Sequence, residues 1–114
     1  MTDRPLELLK GTLDILVLRT LSWGRLHGYG ISKAIRETSR DVLTVEEGAL
    51  YPALRRLEAK GFVAGEWGTT ETGREARFYR LTAAGERQLG EEMRSWGEYV
   101  EAMGRVLGSS GRTG

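Results

Sequence analysis

Residues 44–57 read TVEEGALYPALRRL, and residues 58–67, EAKGFVAGEW, follow at once. At about 100° per residue, Leu50, Ala53, Leu54 and Leu57 fall on one side of a helix. Gly48, Pro52, Arg55 and Ala59 fall on the opposite side, with Tyr51 and Arg56 on its flanks. The leucine stripe seeks a core. The outward face, Gly48 and Ala49 included, is small enough to approach another surface closely, and arginine and tyrosine supply donors for phosphates and base edges. A helix of this kind fits the major groove of a duplex, and the strand-like run after it suits a hairpin.

Working outward, Thr44 with Glu47 has the spacing of a capping box and predicts the start of this helix. Pro52 conflicts with the carbonyl of Gly48 if it lies inside the helix, and is accommodated if the regular helix starts late. Both arrangements are open at this point. Lys60-Gly61 ends the helix, with glycine suited to a left-handed cap. Strands are expected over 62–67 and 77–81, joined by the polar run GTTETGREA. Upstream, a helix over 6–21, the glycine-punctuated turn SWGRLHG, a second helix over 29–39 and a short strand over 41–43 are expected. Thr82 caps a last helix that runs to about residue 107. The order makes the chain mainly α with a minor β part, a winged helix-turn-helix with an extra helix at each end. Residues 6–81 form the winged domain, 82–107 a C-terminal helix, and 108–114 a frayed tail.

The last helix carries its own pattern. Leu89, Met93, Trp96, Val100, Met103 and Leu107 are spaced 4, 3, 4, 3 and 4, a heptad seam. Between Glu86 and Glu101 stand five glutamates against Arg87 and Arg94. Phosphate would repel such a helix, so the seam points to dimerisation away from DNA. Gly90, Gly97 and Gly104 each weaken the helix by about 1 kcal/mol relative to alanine. The helix therefore needs a partner.

Composition bounds the function. The chain has 114 residues, no cysteine and a net charge of +1, enough for one domain with a modest core and without disulfides or thiolate metal sites. No secretory signal or membrane-length apolar run is visible, so the cytoplasm is the expected location. Between residues 27 and 81 there are nine Lys+Arg and eight Asp+Glu; bulk charge does not nominate nucleic acid, and the arrangement must. Of the 17 basic residues 14 are arginines, suited to bidentate contacts. His27 is the one histidine, which removes imidazole-rich zinc sites, and no serine lies in a nucleophile-elbow sequence. Gly28-Tyr29-Gly30 lacks the third glycine and the preceding strand of a dinucleotide loop. No enzyme, cofactor or metal is expected.

The stretches LLKGTLDILVLRTLSWGRLHGYGISKAI, EEGALYPALRRLEAKGFV, EWG and ARFYRLTAAG, in this order, resemble the PadR-type transcriptional regulators, short subfamily, over roughly residues 8–89. The resemblance implies a homodimeric bacterial repressor with the third helix in the major groove and the hairpin as wing. It also implies dimerisation through the last helix, packed on the partner's first helix. A site near that interface for flat aromatic compounds follows from it, with Trp96 of RSWGEYV in the matching place. The family's wing often carries two consecutive basic residues, whereas this chain reads Gly73-Arg74-Glu75-Ala76-Arg77.

The expected DNA contacts are therefore Gly48, Ala49, Tyr51, Pro52, Arg55 and Arg56, with Lys33, Arg36, Arg74 and Arg77 as outer phosphate contacts. The seam residues form the dimer interface. Trp96 with Met93, Val100 and Met103, beside the partner's Leu9 and Leu13, would line the effector site. Trp23 and Trp67 are expected to serve packing. The expected partners are double-stranded DNA, a second copy of the chain and a small aromatic ligand, with no membrane. The rival is a winged-helix module that docks on protein and never meets DNA.

Overall fold

The computed structural model describes residues 11–108. Its elements are α1 (Leu13–Leu21), β1 (Leu26–His27), α2 (Gly28–Thr38), α3 (Glu47–Ala59), β2 (Val63–Thr69), β3 (Glu75–Leu81) and α4 (Ala83–Leu107). The three strands form an antiparallel sheet in the order β1-β3-β2. This is a winged helix-turn-helix flanked by α1 and α4.

One core holds it together. Val17, Leu18 and Leu21 of α1, Ile31 and Ile35 of α2, and Leu50, Leu54 and Leu57 of α3 meet Val63 and Tyr79 of the sheet and Leu89 of α4. All four residues of the α3 stripe, Ala53 included, are buried, as the 3.6-residue period requires. The C-terminus of α3 closes as the sequence suggests. Gly61 takes φ +80°, and the N–H groups of Gly61 and Phe62 donate to the carbonyls of Glu58 and Leu57 at 3.0 and 2.9 Å, a Schellman pair. This turn sets the angle at which the hairpin leaves the helix.

Four local expectations are corrected. Helix α1 begins at Leu13, because Gly11 is left-handed at φ +86° and Thr12 is the N-cap, so no continuous helix runs over 6–21; residues 6–10 of that expectation lie outside the described residues. The third strand is Leu26–His27, before α2; of 41–43 only Leu43 makes a single β-bridge. Arg40 and Asp41 are both left-handed, at φ 57° and 63°, which turns the chain where a strand would need extended residues. The Oγ of Ser39 accepts the N–H of Leu43 at 3.0 Å and closes that turn. The capping box does not form. Glu46 is the N-cap, with no side-chain bond, and Thr44, two residues further upstream, buries its Oγ1 without a partner. Finally, the strands of the hairpin reach to Thr69 and Glu75, so its tip is shorter than expected. Pro52 lies inside α3, in its second turn. The carbonyl it leaves unpaired belongs to Gly48 on the exposed face, where water can satisfy it.

At the other end Thr82 behaves as expected. Its Oγ1 accepts the N–H of Gly85 at 3.0 Å and donates to the carbonyl of Gly61 at 2.7 Å. A Cβ at Gly85 would collide with the carbonyl of Phe62, so glycine lets α4 start hard against the hairpin. Leu89 is the last buried residue of α4. Beyond it the helix projects from the winged domain, and the two together measure 63 × 35 × 22 Å overall.

Candidate nucleic-acid interface

The outward face of α3 is built as its sequence reads. Gly48, Ala49 and Arg55 are exposed and Pro52 half-buried. Arg55 makes no ion pair or hydrogen bond within the described residues, so its guanidinium is free for an external partner. Tyr51 has a second task. Its ring lies against Gly28 so closely that a Cβ there would come within 2.5 Å of the hydroxyl. Partial burial, then the nearby Glu47 and Tyr79, raise its pKa above the ordinary value, so the hydroxyl stays a neutral donor. Gly28 thus seats Tyr51 on the start of α2.

Two expected contact arginines are otherwise engaged. Arg56 pairs with Asp14 of α1 at 2.9 Å, tying α3 to the first helix. Arg77 pairs with Glu58 of α3 at 2.7 Å, and that hydrogen bond raises its pKa. Its guanidinium lies over Gly65, where a Cβ would come within 2.7 Å of it, and stands 5.9 Å from the ring centre of Tyr79. Arg77 braces the wing against α3. Arg36 is only loosely held, 3.9 Å from Asp41.

Between α2 and the tip of the wing runs an open groove of about 970 Å³. Lys33 and Arg74 line it, but so do Glu37, Glu47, Glu71 and Glu75. Four carboxylates against two cations make the groove acidic, so its walls offset the attraction that Lys33 and Arg74 would exert on phosphate. His27 caps α2 here, its Nδ1 accepting the N–H of Gly30 at 3.1 Å, and stacks on Phe78 at 5.2 Å. Tyr29 stands at the mouth of the groove, exposed in the first turn of α2.

The outer half of α4 is an unpartnered apolar face. Met93, Trp96, Val100, Met103 and Leu107 are all exposed, whereas Leu89 is buried in the chain's own core. Trp96 and Tyr99 lie 6.0 Å apart, tilted. Tyr99 and Val106 are exposed as well and widen the apolar arc beyond the heptad seam. Of the other expected effector residues Leu13 is half-buried, and Leu9 lies outside the described residues. Among the described residues no cluster of metal-ligating side chains and no membrane-length apolar helix occurs.

The family model described as "Transcriptional regulator PadR-like family" matches residues 17–91. The chain belongs to the PadR-like family. Transcriptional regulator Rv3488 of Mycobacterium tuberculosis is 33% identical over 107 residues, 94% of each chain. A PadR-like transcriptional regulator from Bacillus cereus superposes with a TM-score of 0.75 at 28% identity, covering 91% of this chain and 97% of that one. A PadR family transcriptional regulator from Eggerthella lenta gives 0.73 at 33% identity, covering 86% and 83%. PadR-family proteins are transcriptional regulators, not enzymes; they bind DNA and commonly act as dimers.

Within this PadR-family regulator the structure brings Tyr51, Arg55 and the small residues of α3 to one surface. It directs Arg56 and Arg77 into the fold instead, because Asp14 and Glu58 lie within ion-pair reach. Neither pairing is legible from helical periodicity, since each joins different elements. Tyr29, at the glycine-flanked start of α2, lines the groove beside Lys33. Trp23 and Trp67, expected to serve packing, are both exposed. Arg19 covers one face of Trp23 at 5.5 Å.

Proposed function

We propose that this PadR-family regulator is a cytoplasmic repressor that binds a pseudo-palindromic operator as a homodimer. The observation that carries the reading is the outward face of α3: small residues and an unpaired Arg55 on a helix whose opposite side is wholly buried. In a dimer the two α3 helices must lie about 34 Å apart to enter successive major grooves. The exposed arc of α4 supports a second copy as the means of setting that distance. Lys33, Arg36 and Arg74 serve as outer phosphate contacts, and Arg56 joins them only by leaving Asp14.

A small aromatic effector suits the same assembly. Trp96 near the middle of α4 lies close to its own copy when two such helices pack about a two-fold axis, and two indoles make a flat slot. Met93, Val100 and Met103 line its sides, with Leu13 contributed by the start of the partner's α1. A compound wedged there releases DNA if it favours one dimer spacing over the other.

The acidic groove favours a second reading, a module that docks on protein. Salt separates the two. A DNA binder loses affinity for random duplex steeply as salt rises, with a slope of about 0.9 per neutralised phosphate. Selection of bound genomic fragments, followed by this salt titration, is the test. Fragments recovered and released by salt support the repressor reading; no enrichment of any fragment supports the docking module.

A further inference from the structure

The β2–β3 hairpin has two unlike faces. Cross-strand partners share a face, so the register Val63↔Leu81, Gly65↔Tyr79, Trp67↔Arg77 and Thr69↔Glu75 places these eight residues together. Val63 and Tyr79 are in the core and Arg77 reaches Glu58 of α3, so this is the face turned toward the recognition helix. Trp67 stands on it beyond the Arg77–Glu58 brace. It is 69% exposed, more than any other large apolar residue outside α4 among the described residues. Its indole N–H makes no hydrogen bond among the described residues.

We propose that Trp67 is a DNA contact, packing its indole against the deoxyribose wall of a duplex seated on α3 and offering its N–H to the adjacent phosphate. This rests on the reading that α3 takes duplex DNA. The angle between the outward side of α3 and the inner face of the wing must then hold one edge of the groove that α3 enters. Arg77 is spent on Glu58 and supplies no charge there. Glu75, at the far end of the same face, repels phosphate. An apolar ring with one donor suits a sugar–phosphate edge without adding charge. The contact is sequence-tolerant, since every nucleotide carries the same sugar.

Random-sequence 30-base-pair duplex is the probe, with Trp67→Ala, Trp67→Phe and Arg55→Ala compared against the wild type over a salt series. Trp67→Ala is expected to weaken binding roughly 5- to 30-fold with an unchanged salt slope, and Trp67→Phe to recover part of the loss. Arg55→Ala is expected to flatten the slope if it meets phosphate, or to weaken only the selected operator if it meets a base. In parallel, wild-type protein labelled with 5-fluorotryptophan is titrated with the duplex, its three fluorine resonances assigned through single Trp→Phe variants. The Trp67 resonance should shift while that of Trp23 stays. Equal affinity of Trp67→Ala, or a fixed Trp67 resonance while the wild type binds, overturns the proposal and leaves the DNA reading intact. If Trp67→Ala changes the sedimentation of the free protein instead of its DNA affinity, the ring serves chain–chain contact and the proposal also falls. No binding by the wild type removes the DNA reading itself.

Discussion

Helices α3 and α4 are both amphipathic, yet they spend their apolar residues differently. Every apolar residue of the α3 stripe is buried within the chain, whereas past Leu89 the α4 residues Met93, Trp96, Tyr99, Val100, Met103, Val106 and Leu107 are all exposed. The first helix is complete within one chain, and what it leaves outside is small or charged. The second leaves outside what ordinarily goes inside. A contiguous exposed apolar face marks an association surface; on the proposed reading α3 meets a polar partner and α4 a non-polar one.

The strongest way to break this contrast is Val100→Asp. On a wet face the substitution changes stability by no more than about 0.5 kcal/mol. On a face buried against a second copy it costs roughly 3–5 kcal/mol by placing an unpaired charge in the interface. Sedimentation of a monomer is the expected outcome; a dimer of unchanged melting temperature removes the seam. Next comes Leu54→Ala in the α3 stripe, expected to destabilise the fold by about 2–5 kcal/mol. Urea unfolding reads it, and a loss below 1 kcal/mol would show that α3 is not anchored as described.

The two adjacent arginines of α3 sharpen the contrast further. Arg55→Ala should weaken binding to the selected operator by about 1–3 kcal/mol. Arg56→Ala should cost less, since its partner is Asp14 and exposed ion pairs contribute about 0–1 kcal/mol. Binding isotherms on the same fragment compare them, and an Arg56→Ala loss larger than that of Arg55→Ala would reverse the assignment. The smallest effects concern two threonines. Thr82→Ala removes a formed cap and should cost about 1 kcal/mol. Thr44→Val removes a buried hydroxyl without a partner and should be neutral or slightly stabilising; a thermal-melt loss as large as that of Thr82→Ala would mean that Thr44 caps α3 after all.

These two threonines show what was legible in the chain and why. Thr82 precedes a helix whose start is fixed by the hairpin before it, so the local signal and the tertiary constraint agree. Thr44 has an equally good local signal, but the left-handed pair Arg40 and Asp41 redirects the chain, and α3 begins two residues past the place a capping box needs. The winged order, the buried face of α3, the Gly61 stop and the long α4 all follow from periodicity and turn residues, which act locally. β1 was missed because two residues carry no period, and only pairing with Phe78 and Tyr79 makes them a strand. For the candidate site, residue type and helix face were enough to place Tyr51 and Arg55 on the outward side of α3. The fates of Arg56, Arg77 and Trp67 depend on where α1, α3 and the wing meet, which no single segment encodes.

Hydroxyl-radical footprinting on a genomic fragment selected by the protein tests the central claim most directly, because it reads the α3 contact and the assembly together. Two protected patches related by a two-fold axis, centred about 10 base pairs apart, are the predicted result, with both lost together in Val100→Asp. A single unsymmetrical patch, or protection that Val100→Asp leaves unchanged, would contradict the account.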